Sequence, residues 1–146
     1  MALILIADDD ELVVHVVRAA LSARGHIVGA VDDGLPVLGV VEFKRPALVI
    51  LDCSMPELSG IEVLRLIRRS RTCHATPVLM LTVRSSDADE DIAMRSGASD
   101  YLRKPFDPDQ LVAHVENLLR RAEDQQRPPS LRAPPRPNRE HAWGQR

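Results

Sequence analysis

The chain has 146 residues, 45% of them hydrophobic and 27% charged, with a formal charge of −2. A core can form at this length without disulfides or metal staples, and one domain is expected. The near-neutral charge removes the main argument for a nucleic-acid-binding surface, the apolar runs are too short to cross a membrane, no basic leader is visible, and Cys53 and Cys73 lack metal-ligand spacing.

Leu3 to Ala7 is a continuous apolar run of strand length, stopped by Asp8, Asp9, Asp10 and Glu11. A strand apolar on both faces belongs inside a parallel sheet. Leu12, Val13, Val16, Val17, Ala20 and Leu21 then follow helical spacing, and Gly25 marks the stop. His26 to Val31 reads as a second strand, and Asp33-Gly34 as a turn. A helix to about Phe43 follows, weakened by Gly39 and several valines. Leu48 to Leu51 is a third strand ending at Asp52, followed by a helix from about Gly60 to Ser70.

Pro77 to Thr82 is a fourth strand. Ser86 with Asp87, Asp89, Glu90 and Asp91 opens the next helix with charge suited to its dipole, and Gly97 closes it. Tyr101 to Arg103 is a short fifth strand. Asp107-Pro108-Asp109-Gln110 combines an N-cap, an N1 proline and a capping-box-like glutamine, opening a last helix to about Arg121. Beyond it, five arginines against one acid put about +4 on residues 127–146 and leave about −6 on residues 1–126. Five of the eleven prolines lie in that end, including a Pro-x-x-Pro match at 134–137. Residues 1–122 are therefore read as the folded domain and 123–146 as a Pro/Arg-rich flexible tail or linker.

Alternating strands and helices make right-handed βαβ units around a parallel sheet, so chemistry is sought beyond the carboxyl ends of the strands. Asp8, Asp9 and Asp10 end the first strand, Asp52 the third and Thr82 the fourth, and Lys104 follows the fifth. Taken singly, acids cap helices, a threonine ends a strand and a lysine is solvated. Together they make a site. Clustered carboxylates repel unless a cation relieves them, and oxygen ligands suit Mg²⁺. With Thr82 and Lys104 holding phosphoryl oxygens, Asp52 is a nucleophile able to form an acyl phosphate.

Three segments carry a family resemblance: Ile4-Leu5-Ile6-Ala7-Asp8-Asp9-Asp10-Glu11, Leu51-Asp52-Cys53-Ser54-Met55-Pro56 with Gly60, and Gly97-Ala98-Ser99-Asp100-Tyr101-Leu102-Arg103-Lys104-Pro105-Phe106. With Leu81-Thr82 between the last two, the separations are 43 residues from Asp9 to Asp52, 30 to Thr82 and 22 to Lys104. This ordered set resembles the CheY-like receiver domain of bacterial two-component response regulators over residues 3–121. The resemblance implies a flavodoxin-like, doubly wound (βα)5 fold with strand order 2-1-3-4-5 and helices on both faces.

It further implies that Asp52 is the phosphoacceptor, that Asp8 and Asp9 hold Mg²⁺, and that the Ser54 backbone carbonyl completes the metal site. Thr82 matches the switch hydroxyl, Lys104 the residue that pairs with the phosphoryl group, Tyr101 the aromatic that rotates with Thr82, and Pro105 the usual cis proline. The implied partners are a sensor histidine kinase or histidine phosphotransfer protein, docked near Leu12 and Val13, and a downstream protein target. A phosphorylation-linked homodimer is a further implication, with no nucleic-acid contact by residues 1–122 and no membrane contact. The protein is expected to be cytoplasmic, and no enzyme beyond self-catalysed phosphotransfer and dephosphorylation at Asp52. A stand-alone receiver is the favoured reading; the alternative is the receiver portion of a longer DNA-binding regulator.

The departures from the family pattern are specific. Val83 stands where a small residue is often found and is expected to narrow access, and Arg84 lies at a position associated with dephosphorylation rate. Ser54 supplies no general acid two residues after Asp52, which disfavours a small-molecule phosphatase. Glu90 and Gln110 stand where a basic and an acidic residue are usual, and Glu116 lies in a usually basic stretch, although Asp100 and Arg121 match one dimer pair. Cys53 is expected to point away from Asp52 and to be apolar filling.

Overall fold

The computed structural model describes residues 1–83, 87–132, 134 and 135. Each apolar run of strand length is a strand: β1 (Leu3–Ala7), β2 (Ile27–Val31), β3 (Leu48–Asp52), β4 (Val78–Val83) and β5 (Asp100–Lys104). All pair in parallel, in the order β2-β1-β3-β4-β5. Between and after them run α1 (Glu11–Ser22), α2 (Val37–Lys44), α3 (Gly60–Arg69), α4 (Asp87–Arg95) and α5 (Pro108–Gln126). This is the flavodoxin-like, doubly wound (βα)5 arrangement expected from the sequence.

Strand alternation divides the core into two layers. Ile4, Ile6, Leu48, Ile50, Leu79, Leu81 and Leu102 face Val17 and Leu21 of α1 and Leu111, Val115 and Leu118 of α5. Leu5, Ala7, Val49, Leu51, Val78 and Met80 face the other way, onto Val41 of α2, Val63, Leu64 and Ile67 of α3, and Ala93 of α4. β1, β3 and β4 are inner strands, which is why they are apolar on both faces. Because every strand runs the same way, all five carboxyl ends open on one edge, and β1 and β3 flank the point where the strand order reverses.

The helix ends follow the capping signals. Asp10 caps α1 by accepting the N–H groups of Leu12 and Val13, and Ser59 caps α3 through Glu62. Asp107 and Gln110 close a reciprocal capping box at α5. That helix continues to Gln126, five residues past the expected end at Arg121, so the stretch expected to be flexible from residue 123 begins as helix. Residues 122–126, Ala-Glu-Asp-Gln-Gln, hold no breaker; the helix stops at Arg127, where Pro128 disfavours a helical backbone in the residue before it. A single 3₁₀ turn, Pro129–Leu131, follows. The expected roles of Arg84 and Ser86, and most of the tail with Arg136 and Pro137 of the Pro-x-x-Pro match, lie outside the described residues.

One half-buried cation ties the α3 side together. The Arg68 guanidinium donates to the carbonyls of Gly97 (2.7 Å), His74 (3.0 Å) and Thr76 (2.6 Å) and to Ser99 Oγ (3.3 Å). Gly97 takes a positive φ of 106° directly against it, where a Cβ would stand 2.9 Å from Arg68 Cγ. Burial lowers the guanidinium's pKa, yet Arg68 remains a cation because arginine titrates far above neutrality. Arg68→Ala is expected to destabilise the fold by about 1–2 kcal/mol, since several half-buried acceptors lose their donor at once. Arg68→Lys is expected to recover little, because an ammonium cannot reach four acceptors in that fork. Urea unfolding checks both; a midpoint unchanged in Arg68→Ala would refute the clamp.

Candidate functional site

The acids after β1 are sorted by the turn into α1. Asp8 is 1% exposed: its Oδ1 accepts the Asp10 N–H at 2.9 Å, and its Oδ2 faces Lys104 Nζ at 2.8 Å. Asp9 is exposed at the mouth, and Asp10 turns away to cap α1. Asp52 ends β3 at 4% exposure. Gly60 lets the start of α3 press on this strand end; a Cβ there would lie 2.0 Å from the Asp52 carbonyl oxygen. One oxygen each from Asp8, Asp9 and Asp52 lies within 4.8 Å of the others. An all-oxygen set of this size fits Mg²⁺, with no softer donor to favour a transition metal.

Lys104 closes the cluster from the end of β5. Its ammonium is 2.8 Å from Asp8 and 3.3 Å from Asp52 Oδ1. The Lys104–Pro105 peptide is cis. Burial alone would lower the ammonium's pKa; the hydrogen bond to Asp8 and the charges of Asp52 and Asp8 outweigh it and hold the group above its ordinary value. Asp52 shifts the opposite way to most paired acids. Burial first, and the Asp8 charge second, push its carboxyl up to about 6 against the pull of Lys104.

Thr82 sits next to Leu81, the register partner of Asp52 on β4. It is fully buried, and its Oγ1 has no hydrogen-bond partner among the described residues. Val83, one residue on, is 56% exposed at the same strand end. The Ser54 N–H points to Asp52 Oδ1 at 3.4 Å. Cys53 packs against the α2–α3–α4 core layer, away from Asp52, and burial with the Asp52 charge raises its thiol to about 11. It is apolar filling, as expected.

The strand ends thus bring Asp8, Asp9, Asp52 and Lys104 into one cluster, with Thr82 beside it. Tyr101 stands apart, half-buried against the core layer under α3 and α4. Its phenol is held above the ordinary tyrosine value, first by a hydrogen bond to Glu90. Glu90, a buried acid on α4, also takes the Arg103 guanidinium, whose other arm reaches Asp87 at 2.6 Å. That network was not foreseen. Its one signal in the chain is Glu90 itself, an acid where a basic residue is usual, and no local pattern points to Arg103 as its partner.

Comparisons with known proteins give the family and the fold. The family model for the response regulator receiver domain matches residues 4–116. The chain is 38% identical over 122 residues to the DNA-binding response regulator MtrA of Mycolicibacterium smegmatis, covering 84% of this chain and 52% of that protein. It is 37% identical over 120 residues to the alkaline phosphatase synthesis transcriptional regulatory protein PhoP of Bacillus subtilis, covering 82% of this chain and 49% of that protein. The chain spans about half the length of the curated relatives it matches. Among solved structures, a response regulator from Chloroflexus aurantiacus superposes with a TM-score of 0.79 at 30% identity, covering 82% of this chain and 98% of that one.

The charge arrangement has a measurable consequence. With the Asp52 carboxyl at about 6 in the folded chain and about 4 in the unfolded one, the folded state binds more protons between those pH values. Stability from this group therefore rises as pH falls through the window and is lower above it. Asp52→Asn, measured in EDTA at about pH 7.5, is expected to stabilise by about 1–3 kcal/mol, with the gain shrinking toward pH 4. A thermal-melt series at several pH values reads this directly. An Asp52→Asn variant less stable than wild type at every pH would show that Asp52 is a net stabilising charge.

Proposed function

The chain belongs to the response regulator receiver domain family, and from that premise we propose that it is a phosphorylation-dependent switch, the receiver portion of a DNA-binding response regulator. The observation that carries the switch reading is the Thr82 hydroxyl, buried beside Asp52 without a partner among the described residues. An unpartnered buried hydroxyl costs about 1–3 kcal/mol. A phosphoryl group on Asp52 would supply the acceptor. The names of the relatives and the half coverage of their length favour this reading over the stand-alone receiver expected from sequence. The DNA binding named in those relatives is not assigned to residues 1–122; residues 1–126 carry about −6, which opposes contact with a phosphate backbone.

In this reading Asp8, Asp9, Asp52 and the Ser54 carbonyl hold Mg²⁺, which supplies positive charge for the incoming phosphoryl oxygens. The ionised Asp52 attacks the phosphorus of a phosphohistidine on a sensor kinase or phosphotransfer protein. An Asp52 O–P bond forms, the donor's P–N bond breaks, and the imidazole leaves with the electron pair. Lys104 turns from the two carboxylates to a phosphoryl oxygen, and Thr82 donates to another. Every step occurs on the chain's own aspartate, so the protein turns over no substrate of its own. Leu12, 70% exposed on α1, fits a kinase-docking role; Val13 packs inward and does not. A cytoplasmic location goes with such a kinase partner, and no helix among the described residues is long and apolar enough to cross a membrane.

The downstream surface is α4, β5 and α5. Movement of Thr82 and Tyr101 must there compete with the Glu90 hydrogen bond and the Arg103 pair, which hold the unphosphorylated arrangement. Several polar groups that would serve a charged dimer contact are already engaged inside the chain. Asp100 pairs with His114 at 2.7 Å, Gln110 caps α5, and Glu116 holds Arg24 through two bonds of 2.8 and 3.1 Å. A phosphorylation-linked dimer of the charged type would have to break the Asp100–His114 pair.

Acetyl phosphate with Mg²⁺, read by intact mass, tests the proposal. One adduct of about +80 Da, lost with EDTA and in Asp52→Asn, is expected. Thr82→Ala is expected to keep the adduct but lose the shift of α4–β5–α5 amide signals on phosphorylation, and Val83→Ala to accelerate adduct formation several-fold by opening the mouth. An adduct that survives Asp52→Asn would refute Asp52 as the acceptor.

A further inference from the structure

On the layer opposite α1 and α5, α3 and α4 border an open, shallow hollow of about 400 Å³. Its walls come from residues 65–69 and 92–96 alone: Arg65, Arg68, Arg69, Ile92, Arg95 and Ser96. Four guanidinium-bearing side chains line one concavity that has no carboxylate in its walls. Arg68 is fixed by the carbonyls described above. Arg65, Arg69 and Arg95 are exposed, and none is ion-paired among the described residues, even though Asp91 lies one turn before Arg95.

Helix dipoles explain part of this placement, because Arg68 and Arg69 occupy the last turn of α3 and Arg95 that of α4. They do not explain Arg65, a turn earlier, nor why two helix ends aim their cations at one hollow. Like charges brought together in this way repel one another, and an anion seated among them relieves that repulsion. Arginine is also the side chain whose planar fork binds phosphate through two parallel hydrogen bonds. The volume lies in the range of small-ligand sites, Ile92 at 44% exposure offers an apolar wall, and Ser96 a hydroxyl. The cations converge on a hollow rather than along a strip, which favours a compact ligand over an extended acidic peptide.

We propose that the α3–α4 hollow binds a small ligand of nucleotide size carrying at least two phosphate groups, with its ring system against Ile92. The site is separate from the acidic cluster and does not depend on phosphoryl transfer to Asp52.

Isothermal titration of the full chain in EDTA tests it, with ADP, pyrophosphate and adenosine as probes. EDTA keeps divalent cations from bridging a phosphate to the acidic cluster. ADP is expected to bind at one saturable site, pyrophosphate more weakly, and adenosine not at all. Arg65→Ala and Arg95→Ala, both at exposed positions, are each expected to weaken ADP at least about tenfold, while Asp52→Asn leaves it unchanged. Absence of ADP binding would overturn the proposal, as would binding that persists in the Arg65→Ala/Arg95→Ala double variant. Pyrophosphate binding as tightly as ADP would overturn the ring contact with Ile92. Binding of polyglutamate in place of ADP, lost in the same variants, would replace the small ligand by an acidic chain.

Discussion

Lys104 Nζ stands 2.8 Å from Asp8 and 3.3 Å from Asp52, and the coexistence of two nearly buried carboxylates rests on that ammonium. Without a cation, two acids at 1% and 4% exposure would each lose hydration and repel the other. One ammonium does not compensate fully, which is why the Asp52 carboxyl stays up at about 6. In the proposed function, a divalent cation and then a phosphoryl group would relieve that residual imbalance. A site balanced at rest would gain little from either.

The rest of the fold delivers those three side chains to one place. Parallel pairing sends β1, β3, β4 and β5 to a common edge, and strand alternation sets which layer each neighbouring residue enters. Leu51 and Cys53 enter the α2–α3–α4 layer while Asp52 between them turns toward Asp8 and Lys104. Gly60 allows α3 to begin directly against the Asp52 carbonyl, and Arg68 at the far end of the same helix binds it to the loops around β4 and β5. Helix α3 is thereby held at both ends. Helix α4 packs only Ala93 into that layer among the described residues and is held further through Glu90 and Arg103, an electrostatic attachment that a change of charge beside Thr82 can disturb more readily than a packed one.

That difference divides the surface into two functional regions. On the β5 side of α4, the polar groups are already satisfied within the chain: Glu90 by Arg103, Asp100 by His114, Gln110 by the α5 cap. On its α3 side, Arg65, Arg69 and Arg95 have no ion pair among the described residues, and in the proposed reading an anion would seat among them. One helix therefore carries a surface governed by internal pairing and another open to an external ligand, and by linkage anything that shifts α4 would alter both.

The sequence by itself determined the strand and helix order, the parallel sheet, the cap of α5, and which polar residues stand at the carboxyl edge of the sheet. It could do so because period, capping and turn chemistry are local, and because strand ends in a parallel sheet share an edge wherever they fall in the chain. It misplaced the end of α5 because a run of helix-permissive residues leaves only a proline as a stop. Tertiary structure alone decided which charges pair. Glu90 with Arg103, Arg24 with Glu116 and four arginines around one hollow are separated in sequence by 13, 92 and up to about 30 residues, and no local rule reaches across a crossover helix. Ion pairing depends on the few ångströms between side-chain tips, and only the packing of helices on the sheet sets that distance.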